Sequence, residues 1–138
     1  MIGYAYFYHF FAIAFSTVAT TMGVSIGHAQ AAQAAIKATE RQPGIRSEIK
    51  RATIVGLAII ETGAILGVLI SLLLIFSKPS YQGVAIAEIG IALAIGIPGF
   101  IIGCYSGRPT AGILEAISRQ PFIARRLTNR SEEHTSEL

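Results

Sequence analysis

The chain has 138 residues, 52% of them hydrophobic and only 14% charged, with a formal net charge of +3. Soluble domains usually carry about a quarter charged residues, so this balance points to a membrane class and makes core-burial arguments for soluble folds inapplicable. The small positive charge forms no basic stripe interleaved with aromatics, which argues against nucleic acid as a partner, and the single cysteine, Cys104, permits neither an intramolecular disulfide nor a thiolate metal cluster.

Residues 2–36 contain no Asp, Glu, Lys or Arg, comfortably more than the ~20 residues a spanning helix needs. The start lacks the basic region of a secretory signal and shows no convincing cleavage site, so it reads as retained membrane sequence. Tyr4, Tyr6, Phe7, Tyr8, Phe10 and Phe11 fit a belt at a membrane–water boundary, with His9 interfacial among them. Further on, Gly23, Ser25, Gly27, Ala29 and Ala31 place small residues at alternate positions, and Gly23, Gly27, Ala31 and Ala35 repeat at a spacing of four. Small faces let membrane helices approach closely. Ordinary packing within one hairpin needs a single small face, whereas alternating small residues suit the crowded inner wall of a ring.

A polar connection follows at 37–51, holding Lys37, Glu40, Arg41, Arg46, Glu48, Lys50 and Arg51. Pro43-Gly44 supplies turn chemistry, and the proline drives Gln42 out of helical conformation. Residues 52–77 are apolar again except for Glu61. Lys78-Pro79-Ser80 reads as a second turn. A third apolar stretch runs over about 81–102 and holds one acid, Glu88, near the outer end of its helix, where it is expected to reach water rather than take part in transport. Cys104 is expected to serve packing alone. These runs are continuously apolar rather than alternating, which excludes a barrel. The basic regions at 37–51 and 108–126 place both connections on the cytoplasmic side, with the N-terminus and the 78–83 turn outside.

An internal repeat is visible: residues 37–43 end in Arg41-Gln42-Pro43, and residues 115–121 end in Arg119-Gln120-Pro121. The first unit has a helix, a loop and a returning helix; the second has the helix and loop alone. The last nine residues, RSEEHTSEL, match a translated read-through of a sequencing adapter. They are expected to be a non-native tail, consistent with a truncated second unit. The expected fold is therefore an all-α membrane protein, with a complete transmembrane helical hairpin over 1–77, a third transmembrane helix and loop over 81–126 as a truncated second hairpin, and a tail at 130–138.

Glu61 is the residue with chemistry to perform. It lies ten positions from Arg51, the nearest loop charge. An ionised carboxylate alone in hydrocarbon is costly, so this group must be protonated, paired or bound to a cation. Glutamate is too short to reach the surface from that depth. In an antiparallel hairpin turning near Pro43-Gly44, His28 falls within about one helical turn of Glu61. The Thr62 hydroxyl and the Ile59 carbonyl are candidates for the same space, although a threonine in a helix also bonds back to its own backbone. Gly99, Gly103 and Gly107 fail as a dinucleotide fingerprint on spacing and context, and neither zinc-ligand spacing nor a nucleophile triad occurs.

The small-residue first helix, the Arg41-Gln42-Pro43 loop and Glu61 eighteen residues after Pro43 together resemble the rotor proteolipid, or c-subunit, of the F-type rotary ATP synthases. The resemblance covers about residues 1–76, then the first half of a second unit over about 81–121. It implies a homo-oligomeric c-ring with first helices inside and Glu61-bearing helices outside. It further implies exchange of the Glu61 ion at the stator a-subunit, through an arginine and two offset half-channels. The Arg41-Gln42-Pro43 and Arg119-Gln120-Pro121 loops would contact the central stalk of the catalytic head. On this reading the chain catalyses no bond chemistry and needs no cofactor; it sits in the cell's inner (plasma) membrane and carries protons. Sodium-binding relatives have a glutamine where this chain has His28 and a hydroxyl after the acid, as at Thr62, so sodium at Glu61 is the alternative cargo. Ile101 and Tyr105 occupy the repeat positions of Gly23 and Gly27, and the third helix contains Pro98 and Pro109, each of which removes a helix hydrogen bond. The bulk of Ile101 and Tyr105 is expected to disturb a tight inner ring. The two-unit layout is similar to V-type proteolipids. The competing readings are a structural or pore-forming hairpin, which has no use for an acid at this depth, and an intramembrane enzyme, for which His28 is the sole second group.

Overall fold

The computed structural model describes residues 2–77 and 82–120. Helix α1 spans Ile2–Arg41, α2 spans Arg46–Phe76 and α3 spans Gln82–Arg119. At ~1.5 Å per residue, their 40, 31 and 38 residues correspond to about 60, 46 and 57 Å, against a hydrocarbon core of about 30 Å. All three are long and apolar enough to cross a membrane. The protein is an all-α, multi-pass membrane protein, and no strand occurs among the described residues. The Lys78-Pro79-Ser80 turn, Pro121, the continuation to 126 and the 130–138 tail lie outside those residues.

Between α1 and α2 the chain turns through Gln42 and a short 3-10 helix, Pro43–Ile45. Gln42 takes φ −136° and ψ 70°, outside the helical region that a following proline disfavours. Pro43 then occupies the first helical turn, where its missing N–H costs nothing. The Ile45 N–H closes the turn on the Gln42 carbonyl at 3.3 Å. Gly44 does not adopt a left-handed conformation, so the expected Pro-Gly turn is a tight helical one.

Helix α3 runs further than the stretch expected over 81–102. It continues through Pro98 and Pro109. Each ring removes one backbone donor, but neither ends the helix.

Packing divides the chain into two compact units, Met1–Ser25 with Glu61–Cys104 and Ile26–Ile60 with Tyr105–Leu138. In the first, Ala12, Leu74 and Ala92 form a buried cluster flanked by Ile13, Phe15, Ile70 and Ile89. A methyl group added at Gly67 would stand 2.7 Å from the Ser16 carbonyl oxygen, and one at Gly23 would stand 2.7 Å from the Phe100 Cα. These helices therefore approach almost backbone to backbone, as membrane helices with small faces do. In the second unit, Ala38, Ile49, Ala52, Leu114 and Ile117 form the buried cluster. There a methyl at Gly107 would stand 2.8 Å from the Gly27 Cα. Gly99, Gly103 and Gly107, which failed as a nucleotide motif, are thus a packing stripe on α3. Ile101 and Tyr105 are 49% and 56% exposed.

Candidate functional site

Helix α2 carries no Asp, Glu, Lys or Arg from Ala52 to Phe76 other than Glu61. Glu61 is exposed in the isolated chain and belongs to a stripe formed by Ile54, Ala58, Glu61, Ile65, Val68 and Leu72, all exposed. This spacing of three and four is one face of an α-helix. The next residues around the helix, Ile60 and Ala64, are buried at 3% and 6% exposure. The acid thus points away from the packed side and lies among aliphatic side chains that face lipid or another chain. Glu61 is sixteenth in the 31-residue helix, so it stands at mid-span. An acid so placed is stable in hydrocarbon only when neutralised by a proton, a cation or a partner.

Thr62 and Ile59 are both exposed on the same helix, the latter at 46%. His28 is half-buried on α1 and its Nε2–H donates to the Leu57 carbonyl of α2 at 3.2 Å. That bond holds the imidazole against α2 backbone within the second unit and uses one of its two ring nitrogens. Glu61 belongs to the first unit.

The small residues of α1 divide by face. Gly23, Gly27 and Ala31 are buried against the chain's own helices, whereas Ser25 and Ala29 are exposed. Close approach in the first unit is completed by hydroxyls. The Ser71 hydroxyl donates to the Ile13 carbonyl at 2.8 Å and lies 2.6 Å from the Ser16 hydroxyl and 2.5 Å from that of Thr17. With its proton directed at Ile13, both lone pairs of Ser71 Oγ are available to the two α1 hydroxyls.

Arg41 ends α1 and Pro43 is exposed in the turn, with Gln42 half-buried between them. The Arg41 guanidinium lies 3.8 Å from the Glu115 carboxylate, which Arg119 holds more closely at 2.6 Å. Gln120 is exposed beyond the end of α3.

Two expectations need correction. Glu88, expected to reach water, is 4% exposed, and His9, expected at the interface, is 5% exposed. His9 Nδ1 and Glu88 Oε2 are 2.7 Å apart. A buried acid and base satisfy each other's hydrogen bonding, which neither could do alone in apolar surroundings. The internal repeat carried the signal for this pair. Arg41 and Arg119 are offset by 78 positions, and the same offset carries residue 9 to residue 87, next to Glu88.

The family model for the ATP synthase C-subunit matches residues 11–74, which take in most of α1, the connecting turn and nearly all of α2. Across 66 residues, 48% of this chain, the sequence is 41% identical to ATP synthase c-subunit 2 of Cereibacter sphaeroides, covering 80% of that protein. It is 35% identical over the same length to ATP synthase c-subunit 1 of Pelobacter propionicus and to the ATP synthase c-subunit of Citrifermentans bemidjiense, covering 71% of each. The chain belongs to the ATP synthase c-subunit family. The match by the family model contains Glu61, Thr62, His28 and the Arg41-Gln42-Pro43 loop, while α3 and with it Glu88 lie beyond its end.

Proposed function

We propose that the chain is an ion-translocating rotor component of a rotary ATP synthase membrane sector, with Glu61 as the carrier and the proton as its cargo. The observation that carries this reading is the single acid of the apolar part of α2, midway along the helix on an exposed aliphatic stripe and within the segment that matches the c-subunit family. A side chain facing lipid there is stable while protonated. It can ionise where a partner supplies a cation and water, the role the stator a-subunit would fill. Alternation between the two states, one on each side of that partner, would turn a ring of such chains.

In this reading copies of the chain form the ring, with α1 on its inner wall. Ser25 and Ala29, exposed on α1, are the small residues open to a neighbouring copy. The Arg41-Gln42-Pro43 turn faces the cytoplasm and contacts the central stalk, and the chain itself carries out no bond chemistry. The proton is favoured over sodium because His28 donates Nε2–H to a backbone carbonyl, and an imidazole nitrogen is a poorer ligand than oxygen for a hard cation. Ile59 and Thr62 are the remaining candidates to line an ion site beside the acid.

Carbodiimide labelling of the full chain in membranes, with and without sodium, tests the reading. Glu61 should be modified, and sodium should not protect it. Protection by sodium would reassign the cargo, and absence of labelling at every pH would remove Glu61 as an ion carrier.

A further inference from the structure

We propose that His9, Ser77 and Glu88 form a second proton-binding site of this chain, separate from Glu61, whose occupancy is coupled to the docking of α3 on the other two helices. The three residues come from α1, the end of α2 and α3. Glu88 Oε2 lies 2.7 Å from His9 Nδ1, and the Ser77 hydroxyl donates to Glu88 Oε1 at 2.7 Å. Both carboxyl oxygens are therefore engaged, one by α1 and the other by the residue just past the end of α2. Ser77 is itself held by the last turn of α2, its N–H bonding the Leu73 and Leu74 carbonyls at 3.2 and 3.0 Å.

The surroundings are built for close approach. Ala5 and Ala12 flank His9 about one turn away on α1, and Ala85 and Ala92 flank Glu88 likewise on α3. All four are buried, at 5%, 0%, 0% and 1% exposure. Alanines at these positions let the imidazole and carboxyl meet across the helix pair without water. The site lies near the start of α3, beyond the residues that match the family model and at the opposite end of α2 from the Arg41-Gln42-Pro43 turn.

The pair can hold its proton as imidazole with carboxylic acid or as imidazolium with carboxylate. Both forms are neutral in sum and differ by a short movement of one proton between Nδ1 and Oε2. Neutrality is what makes the pair tolerable in apolar surroundings; gaining or losing one proton leaves an uncompensated buried charge. Among the described residues of this unit, little else is placed to absorb it. Helix α1 adds only Tyr4, Tyr6 and Tyr8 as titratable groups, α2 has no acid or base between Glu61 and Ser77, and α3 adds only Cys104. A change in proton occupancy must then be met by water, which enters as the three helix ends part.

The test is site-resolved solid-state NMR of the full chain in lipid vesicles, following the Glu88 carboxyl carbon and the His9 ring nitrogens as pH is varied. Spin labels at Phe7→Cys and Ile86→Cys, both exposed positions, in a Cys104→Ser background report the α1–α3 distance. The two NMR signals should move in one shared transition, and the label distance should lengthen in the same pH range. Signals that stay fixed at every pH would reduce the cluster to a plain structural tie and overturn the proposal. Shared titration without a distance change would overturn the coupling. Glu88→Gln should make the distance independent of pH, and a persisting pH response there also counts against it. None of these readouts uses Glu61, so they stand or fall apart from the rotor reading.

Discussion

Gly103 of α3 lies so close to Gly23 of α1 that a methyl group added at Gly103 would stand 2.5 Å from the Gly23 carbonyl carbon and 2.5 Å from the Val24 nitrogen. Those are backbone atoms, which cannot rotate aside as a side chain would. Gly103→Ala should therefore part α1 from α3 at this level, and overpacking of this kind typically costs about 1–3 kcal/mol. Gly90→Ala is the matched control, since nothing lies within 4 Å of the added methyl; alanine's better helix propensity should make it neutral or stabilising by up to about 1 kcal/mol. Unfolding in mixed detergent micelles separates the two. Equal midpoints for both variants would mean that the glycine contact does not hold the helices.

Ser71→Ala should weaken the α1–α2 pair. Ser71 is 5% exposed, and its hydroxyl joins the Ile13 carbonyl to Ser16 and Thr17. Interhelical hydrogen bonds inside membranes are worth about 0.6 kcal/mol on average and up to about 1.7 kcal/mol. Without Ser71, the Ser16 proton can turn to the Ile13 carbonyl, 3.1 Å away, which places the expected loss at the lower part of that range. Ser71→Leu should cost far more, because the added bulk has no room. The same detergent titration reads both, and a Leu variant as stable as wild type would contradict the packing described for this face.

The helical class was legible because its signals are local. Absence of charge over residues 2–36 and 52–60 needs no partner to interpret, and Pro43 accounts for the non-helical Gln42. The mid-span position of Glu61 follows from counting. What escaped the sequence was every property that depends on which helix faces which. Gly99, Gly103 and Gly107 have a spacing of four that is informative only once α1 is known to lie opposite. His9 and Glu88 each look like boundary residues when taken singly, since both stand near helix ends; burial comes from their meeting. The prolines are carried within α3. A proline removes one donor and clashes with one turn, and a long membrane helix with neighbours on other faces tolerates both.

Glu61→Gln should leave the fold intact. The side chain is exposed on an aliphatic stripe of α2 and the substitution preserves its shape, so a stability change within about ±0.5 kcal/mol is expected, as for other surface positions. Carbodiimide reactivity at that position and proton-driven ATP synthesis in the assembled enzyme should both be lost. Thr62→Ala gives the finer reading. If the proton is the cargo, synthesis should persist, because a protonated carboxyl needs no second oxygen ligand. Synthesis lost together with a sodium requirement in the parent chain would favour sodium.

Arg41→Ala distinguishes a coupling role from a structural one. The guanidinium and the Glu115 carboxylate are 3.8 Å apart with side chains 55% and 49% exposed, and Arg119 already engages the same carboxylate oxygen at 2.6 Å. Exposed pairs contribute about 0–1 kcal/mol, and here the competing bond from Arg119 lowers the share that Arg41 supplies. The variant should therefore unfold at nearly the wild-type midpoint. If the turn engages the central stalk, ATP synthesis should fall while carbodiimide labelling of Glu61 stays at the parent level, since the carrier is untouched. A variant that keeps both stability and synthesis would remove Arg41 from the stalk contact, and one that loses stability by several kcal/mol would show that the α1 end depends on this arginine more than its exposure implies.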